Sequence, residues 1–445
     1  MFLSSQGQHS ILYVTLSYKM DLKGSTASQA IAYFWNNARQ QRYHWIQTTE
    51  EDVYDRDASC DVCLDNGACA LCAACRVTDG DREEECSNCS ADCITPCIDK
   101  GCWYPDQQPS SIPEISMHWE SLDDDAAVCM DGTRAGYYIS NIDENPSTRW
   151  VLLFGGDHWC YDTASCVRYC SEAPDNCGST SWNSTKMTDN ILSTKIESLQ
   201  GYTRVYVPQC SGDAFMGDGA RDGQEFRGSV IFKSVIQQLM DVHGLGSQDN
   251  SHVLISGYSA GARGVMVHLD QVPAMLGQES SNRTVVEGVL MSSLWVEGVS
   301  KLRSNKPSLV EQTQLVDQSV GSNILPSCNY NQTDQWKCRF GQYVLPMIKT
   351  RCLIVEDQRD WTASLSMIGE APYSEEETNY VRTQRVNAIE AIRSSLVSSV
   401  YSANQGRHIV DVDYISQVGR TTTESALDVF LTYRNNLLGL EWITY

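Results

Sequence analysis

The stretch His252-Val253-Leu254-Ile255-Ser256-Gly257-Tyr258-Ser259-Ala260-Gly261 decides the architecture. It opens as a short apolar run of the kind that parallel sheets bury on both faces, and helical spacing begins directly after Ser259. Between the two stands G-x-S-x-G. Glycines on either side of the serine remove Cβ clashes, so the serine can occupy a sharp, strained strand-to-helix turn with its hydroxyl exposed at the foot of the helix. An ordinary tight turn with an incidental serine fits the bare pattern as well, so the serine's partners decide.

Working outward, Arg149-Trp150-Val151-Leu152-Leu153-Phe154 and residues 203–207, 285–291 and 351–355 read as further short strands. Residues 225–242, 260–269, 375–401 and 425–437 carry helical spacing. Strands alternating with helices predict an α/β fold of the α/β-hydrolase type, a mainly parallel sheet with helices on both faces. Ligands of such sheets bind at the carboxyl ends of the strands.

A serine at its free pKa needs a histidine base that is itself oriented by a carboxylate. In hydrolases built on the elbow, the chain order is serine, acid, histidine. Of eight histidines only His408 follows His268, which makes His408 the expected base. The acid belongs in the loop Glu356-Asp357-Gln358-Arg359-Asp360-Trp361 that leaves the strand at 351–355; Asp360 is the choice and Asp357 the fallback. The bland alternative for either is a solvated loop carboxylate. For the oxyanion, the N–H of Ala260 follows from the elbow, and a second donor is expected from Gly155-Gly156-Asp157-His158-Trp159-Cys160, which otherwise is a plain turn tied down through Cys160. This chemistry needs neither metal nor organic cofactor.

Composition narrows the partners. Among 445 residues, 33 Lys and Arg face 56 Asp and Glu, a net charge of −23, which argues against nucleic acid and against an anionic membrane surface. No apolar run reaches the ~18 residues of a spanning helix, so no integral membrane segment is expected. Ten of the 19 cysteines lie between Cys60 and Cys102, and from Glu50 to Cys102 there are 14 acidic residues against four basic ones. Their repeated Cys-x-x-Cys steps suit zinc, but their density fits a disulfide-stapled module better. The odd total leaves at least one thiol unpaired or bonded to another chain. The expected division is an N-terminal segment over 1–59, the Cys-rich module over 60–102 and a catalytic domain over 109–445. The apolar run Ile11 to Tyr18 has no Lys or Arg before it and reads as a degenerate or truncated signal. Sequons at Asn183, Asn282 and Asn331, with the cysteine content, point to a secreted glycoprotein.

Several blocks in order resemble the pectin acetylesterase family, which includes the Notum carboxylesterases. Ala127-Val128-Cys129-Met130-Asp131-Gly132-Thr133 is similar to its A-V-C-L-D-G-S strand, and Phe154 to Cys160 to its E-G-G-G-W-C turn. Arg204 to Asp218 resembles R-V-x-x-x-Y-C-D-G-A-S-F-x-G-D, Phe226-Arg227-Gly228 resembles F-R-G, and Ser256 to Gly264 resembles S-G-x-S-A-G-x-x-G. The resemblance implies Ser259 as nucleophile, Asp360 as acid, His408 as base, and the Gly-Gly turn with Ala260 as oxyanion hole. Because the turn carries Asp157-His158 where the family has one glycine or none, its donor is the N–H of Gly156 or of Asp157. The implied activity is hydrolysis of O-acetyl esters on an extracellular or cell-wall polysaccharide through an acyl-enzyme. The alternatives are removal of a longer fatty acyl group from a protein, and an inactive hydrolase-fold binding protein.

Overall fold

A computed structural model describes residues 114–140, 147–157, 159–277, 284–297, 307–320, 328, 330–331, 333–368, 374–393, 398–409, 411–412, 417–418, 421–432 and 441–443. The N-terminal segment, the Cys60–Cys102 module and His158 lie outside the described residues. The strands are β1 (Ser116–Ser121), β2 (Gly136–Ser140), β3 (Arg149–Phe154), β4 (Thr185–Met187), β5 (Thr203–Val207), β6 (Gly219–Arg221), β7 (Gln224–Phe226), β8 (Ser251–Tyr258), β9 (Thr284–Met291), β10 (Cys352–Asp357), β11 (Ser398–Ala403), β12 (Gln417–Val418), β13 (Thr421–Thr422) and β14 (Glu441–Ile443). The longer helices are α1 (Thr163–Glu172), α2 (Gly228–His243), α3 (Ala260–His268), α4 (Leu309–Val320), α5 (Trp361–Ile368), α6 (Glu375–Arg393) and α7 (Thr423–Thr432).

Ten strands form one sheet in the order β14-β11-β10-β9-β8-β3-β5-β2-β1-β4. From β5 to β14 all pairings are parallel, and β5, β2, β1 and β4 pair antiparallel. Side chains of the central strands alternate between two cores. Trp150, Leu152, Phe154, Val253, Ile255 and Ile354 pack against Phe232, Val235, Val265 and Met266 of α2 and α3 on one face. Val151, Leu153, Leu254, Leu353 and Val355 pack against Leu427 and Phe430 of α7 on the other. Burial on both faces explains why these strands read as unbroken apolar runs, each such side chain contributing about 1.5–3 kcal/mol.

Three expected boundaries move. The helix expected at 225–242 begins at Gly228, because Gln224–Phe226 pairs with Gly219–Arg221 and because the buried Asp213 carboxylate accepts from the N–H of Gly228 at 2.9 Å and of Gly217 at 3.1 Å, fixing the helix start. The helix expected at 375–401 ends at Arg393, and the wholly buried Ser-Ser-Val-Tyr-Ser-Ala of β11 is a strand between β10 and β14. Small serines there occupy tight space between sheet and helix, and in the sequence they pass for the polar side of a helix. The helix expected at 425–437 spans Thr423–Thr432.

Nine cysteines fall outside the Cys60–Cys102 block, and eight of them pair, as Cys129–Cys210, Cys160–Cys166, Cys170–Cys177 and Cys328–Cys338. Cys352, at the start of β10, is the free one; burial pushes its thiol up to about 12. Cys129–Cys210 closes a segment with a sequence separation of 81. Replacing both of its cysteines by serine is expected to cost about 4 kcal/mol in chemical denaturation, set by the loop entropy it removes from the unfolded chain.

Candidate functional site

Ser259 directly follows β8 with φ 51° and ψ −121°, a conformation that side-chain-bearing residues avoid, and hands over directly to α3. The surroundings enforce it. The Ser259 N–H donates to the Met291 carbonyl at the end of β9 (2.8 Å), and its carbonyl accepts from the Arg263 N–H (3.1 Å). A Cβ on Gly261 would lie 2.1 Å from the Phe154 carbonyl oxygen, and one on Gly257 would lie 2.6 Å from the Gly261 carbonyl carbon. Both glycines of the G-x-S-x-G are therefore demanded by backbone packed on backbone.

The Gly-Gly turn at the end of β3 lies against this elbow. A Cβ on Gly156 would meet the Tyr258 carbonyl oxygen at 2.2 Å and the Ser259 Cβ at 2.8 Å, and one on Gly155 would meet the Tyr206 hydroxyl at 2.6 Å. Burial raises the Tyr258 phenol, opposed by hydrogen bonds that the Tyr206 hydroxyl and the Gly156 N–H donate to its oxygen. Ala260 begins α3 beside the serine.

His408 and Asp360 are joined: His408 Nδ1 lies 2.7 Å from Asp360 Oδ2. The other carboxylate oxygen of Asp360 accepts from the N–H of Thr362 (2.8 Å) and Ala363 (3.0 Å) in the first turn of α5. Burial raises the Asp360 carboxyl, but the hydrogen bond to His408, the charges of His408 and Arg385 and the Ala363 N–H together hold it below its ordinary value. Asp357 has a different task. Its carboxylate accepts from the N–H of Arg359 (2.8 Å), Gln405 (2.9 Å) and Gly406 (3.1 Å), tethering the loop that carries His408 to the end of β10.

Ser259 and His408 stand on the same carboxyl edge of the sheet. The chain turns at Ser292 (φ 53°), just after the carbonyl that Ser259 binds, and the Ser292 hydroxyl donates to the carbonyl of Ile409 at 2.7 Å. Among the described residues no hydrogen bond joins the Ser259 hydroxyl to His408; such contacts commonly close only when substrate arrives.

Two buried arrangements escape a reading of motifs. Glu356 and Arg385, both fully buried, pair at 3.0 Å. Glu356 also accepts from Ser293 N–H (2.6 Å) and Leu294 N–H (2.7 Å), and Arg385 donates to the carbonyls of Leu294 (2.6 Å) and Asp357 (2.9 Å). The pair clamps the loop after β9 to the acid loop; burial, against the attraction of Arg385, pushes Glu356 up to about 7. The signals were a glutamate closing an apolar strand and an arginine on the face of α6 that carries Val381 and Ile389. Arg263, one turn beyond Ser259, is buried between Trp159 (4.3 Å) and Trp295 (5.0 Å), and desolvation, with the nearby Arg339 charge, lowers it to about 9. Among the described residues no cluster of His, Cys, Asp and Glu is set to hold a metal, and no helix is long and apolar enough to cross a membrane.

A mostly parallel sheet with helices on both faces and a strained serine at a strand-to-helix elbow defines an α/β-hydrolase-type protein. Residues 113–410 match the pectinacetylesterase family, to which the chain belongs. It is 28% identical over 266 residues to the palmitoleoyl-protein carboxylesterase notum2 of Xenopus laevis, covering 57% of this chain and 53% of that protein. To the palmitoleoyl-protein carboxylesterase NOTUM of Drosophila melanogaster it is 27% identical over 305 residues, covering 64% and 44%. The chain thus spans about half the length of these curated relatives. Two crystal forms of the Wnt deacylase Notum from Drosophila superpose with TM-scores of 0.63 and 0.62 at 23% and 24% identity, over 74% of this chain and 97% and 98% of those, and share its fold.

A carboxylate held below its ordinary value contributes stability that is present above the unfolded pKa and lost as pH falls through the folded one. Asp360→Asn is accordingly expected to melt below the parent at neutral pH, with the gap closing as pH is lowered past about 4. Melting curves between neutral and acid pH check it; a constant gap would mean that the Asp360 charge contributes nothing.

Proposed function

We propose that the chain is a secreted serine carboxylesterase in which Ser259, His408 and Asp360 act as one unit. The observation that supports this most is the 2.7 Å bond between Asp360 and His408, the one histidine beyond the elbow and its helix, on the same sheet edge as the strained serine. Ser259 Oγ attacks the ester carbonyl carbon as its proton passes to His408 Nε2. Asp360 accepts from Nδ1–H, which fixes the tautomer and balances the imidazolium. The oxyanion is met by the N–H of Ala260 and, from the Gly-Gly turn, the N–H of Gly156 or of Asp157. Collapse breaks the bond to the leaving alcohol, which takes the proton from His408. Water then repeats the sequence on the acyl-enzyme, releasing the acid and restoring Ser259.

The substrate we infer is an O-acetyl ester on an extracellular polysaccharide. The family's description supports the acetyl group. A second reading, removal of a longer acyl group from a protein, is favoured by the names of the curated relatives. The four disulfides among the described residues support an oxidising compartment and hence secretion.

Hydrolysis of p-nitrophenyl esters with acyl chains of two to ten carbons separates the readings. Rates highest for acetate are expected, and a maximum at medium chains would transfer the assignment to the protein deacylase. Ser259→Ala is expected to lower kcat by about 10⁶, as for residues that act together, and parental turnover in this variant would remove the mechanism.

A further inference from the structure

We propose that the cavity beside the Gly-Gly turn is the subsite for the alcohol half of the substrate, and that it takes an uncharged sugar ring in preference to a uronic acid. The inference rests on the esterase reading above and names the substrate within it. Its volume, about 180 Å³, falls below the roughly 300–1,000 Å³ that encloses drug-sized ligands, and suits a single ring. Gly156 forms one wall and also packs on the elbow, where a Gly156 Cβ would lie 2.8 Å from the Ser259 Cβ, so the cavity adjoins the turn that carries the serine.

The other walls combine aromatic faces with hydrogen-bonding groups. Trp182, Tyr138 and Tyr206 supply the rings. Trp182 is held by its indole N–H, which donates to the Asp175 carbonyl at 2.8 Å, and by edge-to-face contact with Trp119 at 4.9 Å. Tyr138 is held by its hydroxyl, which donates to the Asn183 carbonyl at 2.8 Å. A rigid aromatic surface of this kind matches the C–H face of a pyranose, while Asn176 and Gln209 line the same space with amides for ring hydroxyls.

Charge decides the kind of sugar. The two charged residues of the lining, Lys186 and Asp175, cancel in sign. Lys186 is moreover engaged, 2.9 Å from Asp189 and 4.8 Å above the Tyr206 ring, and Asp175 accepts from the Ser181 hydroxyl. A uronate carboxylate entering here finds no uncompensated cation, on a chain whose net charge is −23. A neutral ring loses nothing by that.

The test compares an acetylated xylo-oligosaccharide, an acetylated oligogalacturonide and p-nitrophenyl acetate at low ionic strength. Enzymatic deglycosylation precedes the assay, because Asn183 of the Asn183-Ser184-Thr185 sequon adjoins Trp182. The parent is expected to favour the neutral oligosaccharide about tenfold in kcat/KM, and Trp182→Ala to raise KM for it about tenfold with kcat little changed, the mark of lost ground-state binding. Folding of the variant is read separately, from a melting temperature within a few degrees of the parent's. Trp182→Phe, with a smaller ring, is expected to fall between, and carries the test if Trp182→Ala does not fold. Preference for the uronate, or an unchanged KM in the variants, would overturn the subsite while leaving the esterase in place. A parent that hydrolyses none of the three would overturn the esterase reading, and the subsite with it.

Discussion

Backbone packed against backbone where β3 ends and α3 begins is the constraint on which the remainder of the site depends. Gly261 admits the carbonyls of Phe154 and Gly155 at distances no side chain tolerates, and Gly156 does the same for the carbonyl of Tyr258. The two turns therefore occupy nearly one volume, and the conformation forced on Ser259 is the cost of that approach. The sheet supplies the force: β3 and β8 are adjacent and parallel, with Leu153 paired to Ser256 and Phe154 to Gly257, so both chains reach the carboxyl edge in step. Stiff, doubly buried strands on either side leave the serine no relaxed alternative.

The opposite half of the site is held by charge. Asp357 and Asp360 divide the work of one loop, the first binding backbone amides of the segment that leads to His408, the second binding His408 itself. Beneath them the Glu356–Arg385 pair reaches from β10 to the loop after β9 and to α6. A buried pair of this sort contributes little net stability, because the attraction roughly offsets desolvation, but losing either partner strands a charge in the core. Its value here is geometric, since Leu294 is gripped through both its N–H and its carbonyl.

Much of this was legible in the sequence, for physical reasons that differ by element. The strands at Arg149–Phe154 and Thr203–Val207 end where their apolar runs end, because burial leaves no charged position after Arg149 in the first or after Arg204 in the second. Chain order and a scarcity of histidines named His408 and confined the acid to the loop after β10, with Asp360 preferred over Asp357, and it is Asp360 that His408 meets. β11 escaped because its serines are small enough for a crowded strand and polar enough to mimic a helix surface. The antiparallel edge of β1, β2 and β4 escaped because Ser116–Ser121 is only partly buried and shows no clean period. The roles of Tyr258 and Arg263 were hidden for another reason: each sits inside a recognised motif, yet its partners, Tyr206, Trp159 and Trp295, come from other strands and loops, and no local pattern records such meetings.

The short helix α1 is cross-linked near both ends, through Cys160–Cys166 and Cys170–Cys177, and its first turn is closed by reciprocal bonds between Asp162 and Ser165. It leads directly from the Gly-Gly turn to the wall that holds Asp175 and Trp182. A rim stapled in this way cannot mould itself to successive guests. At the proposed subsite, selection would then fall to fixed shape at the doorway.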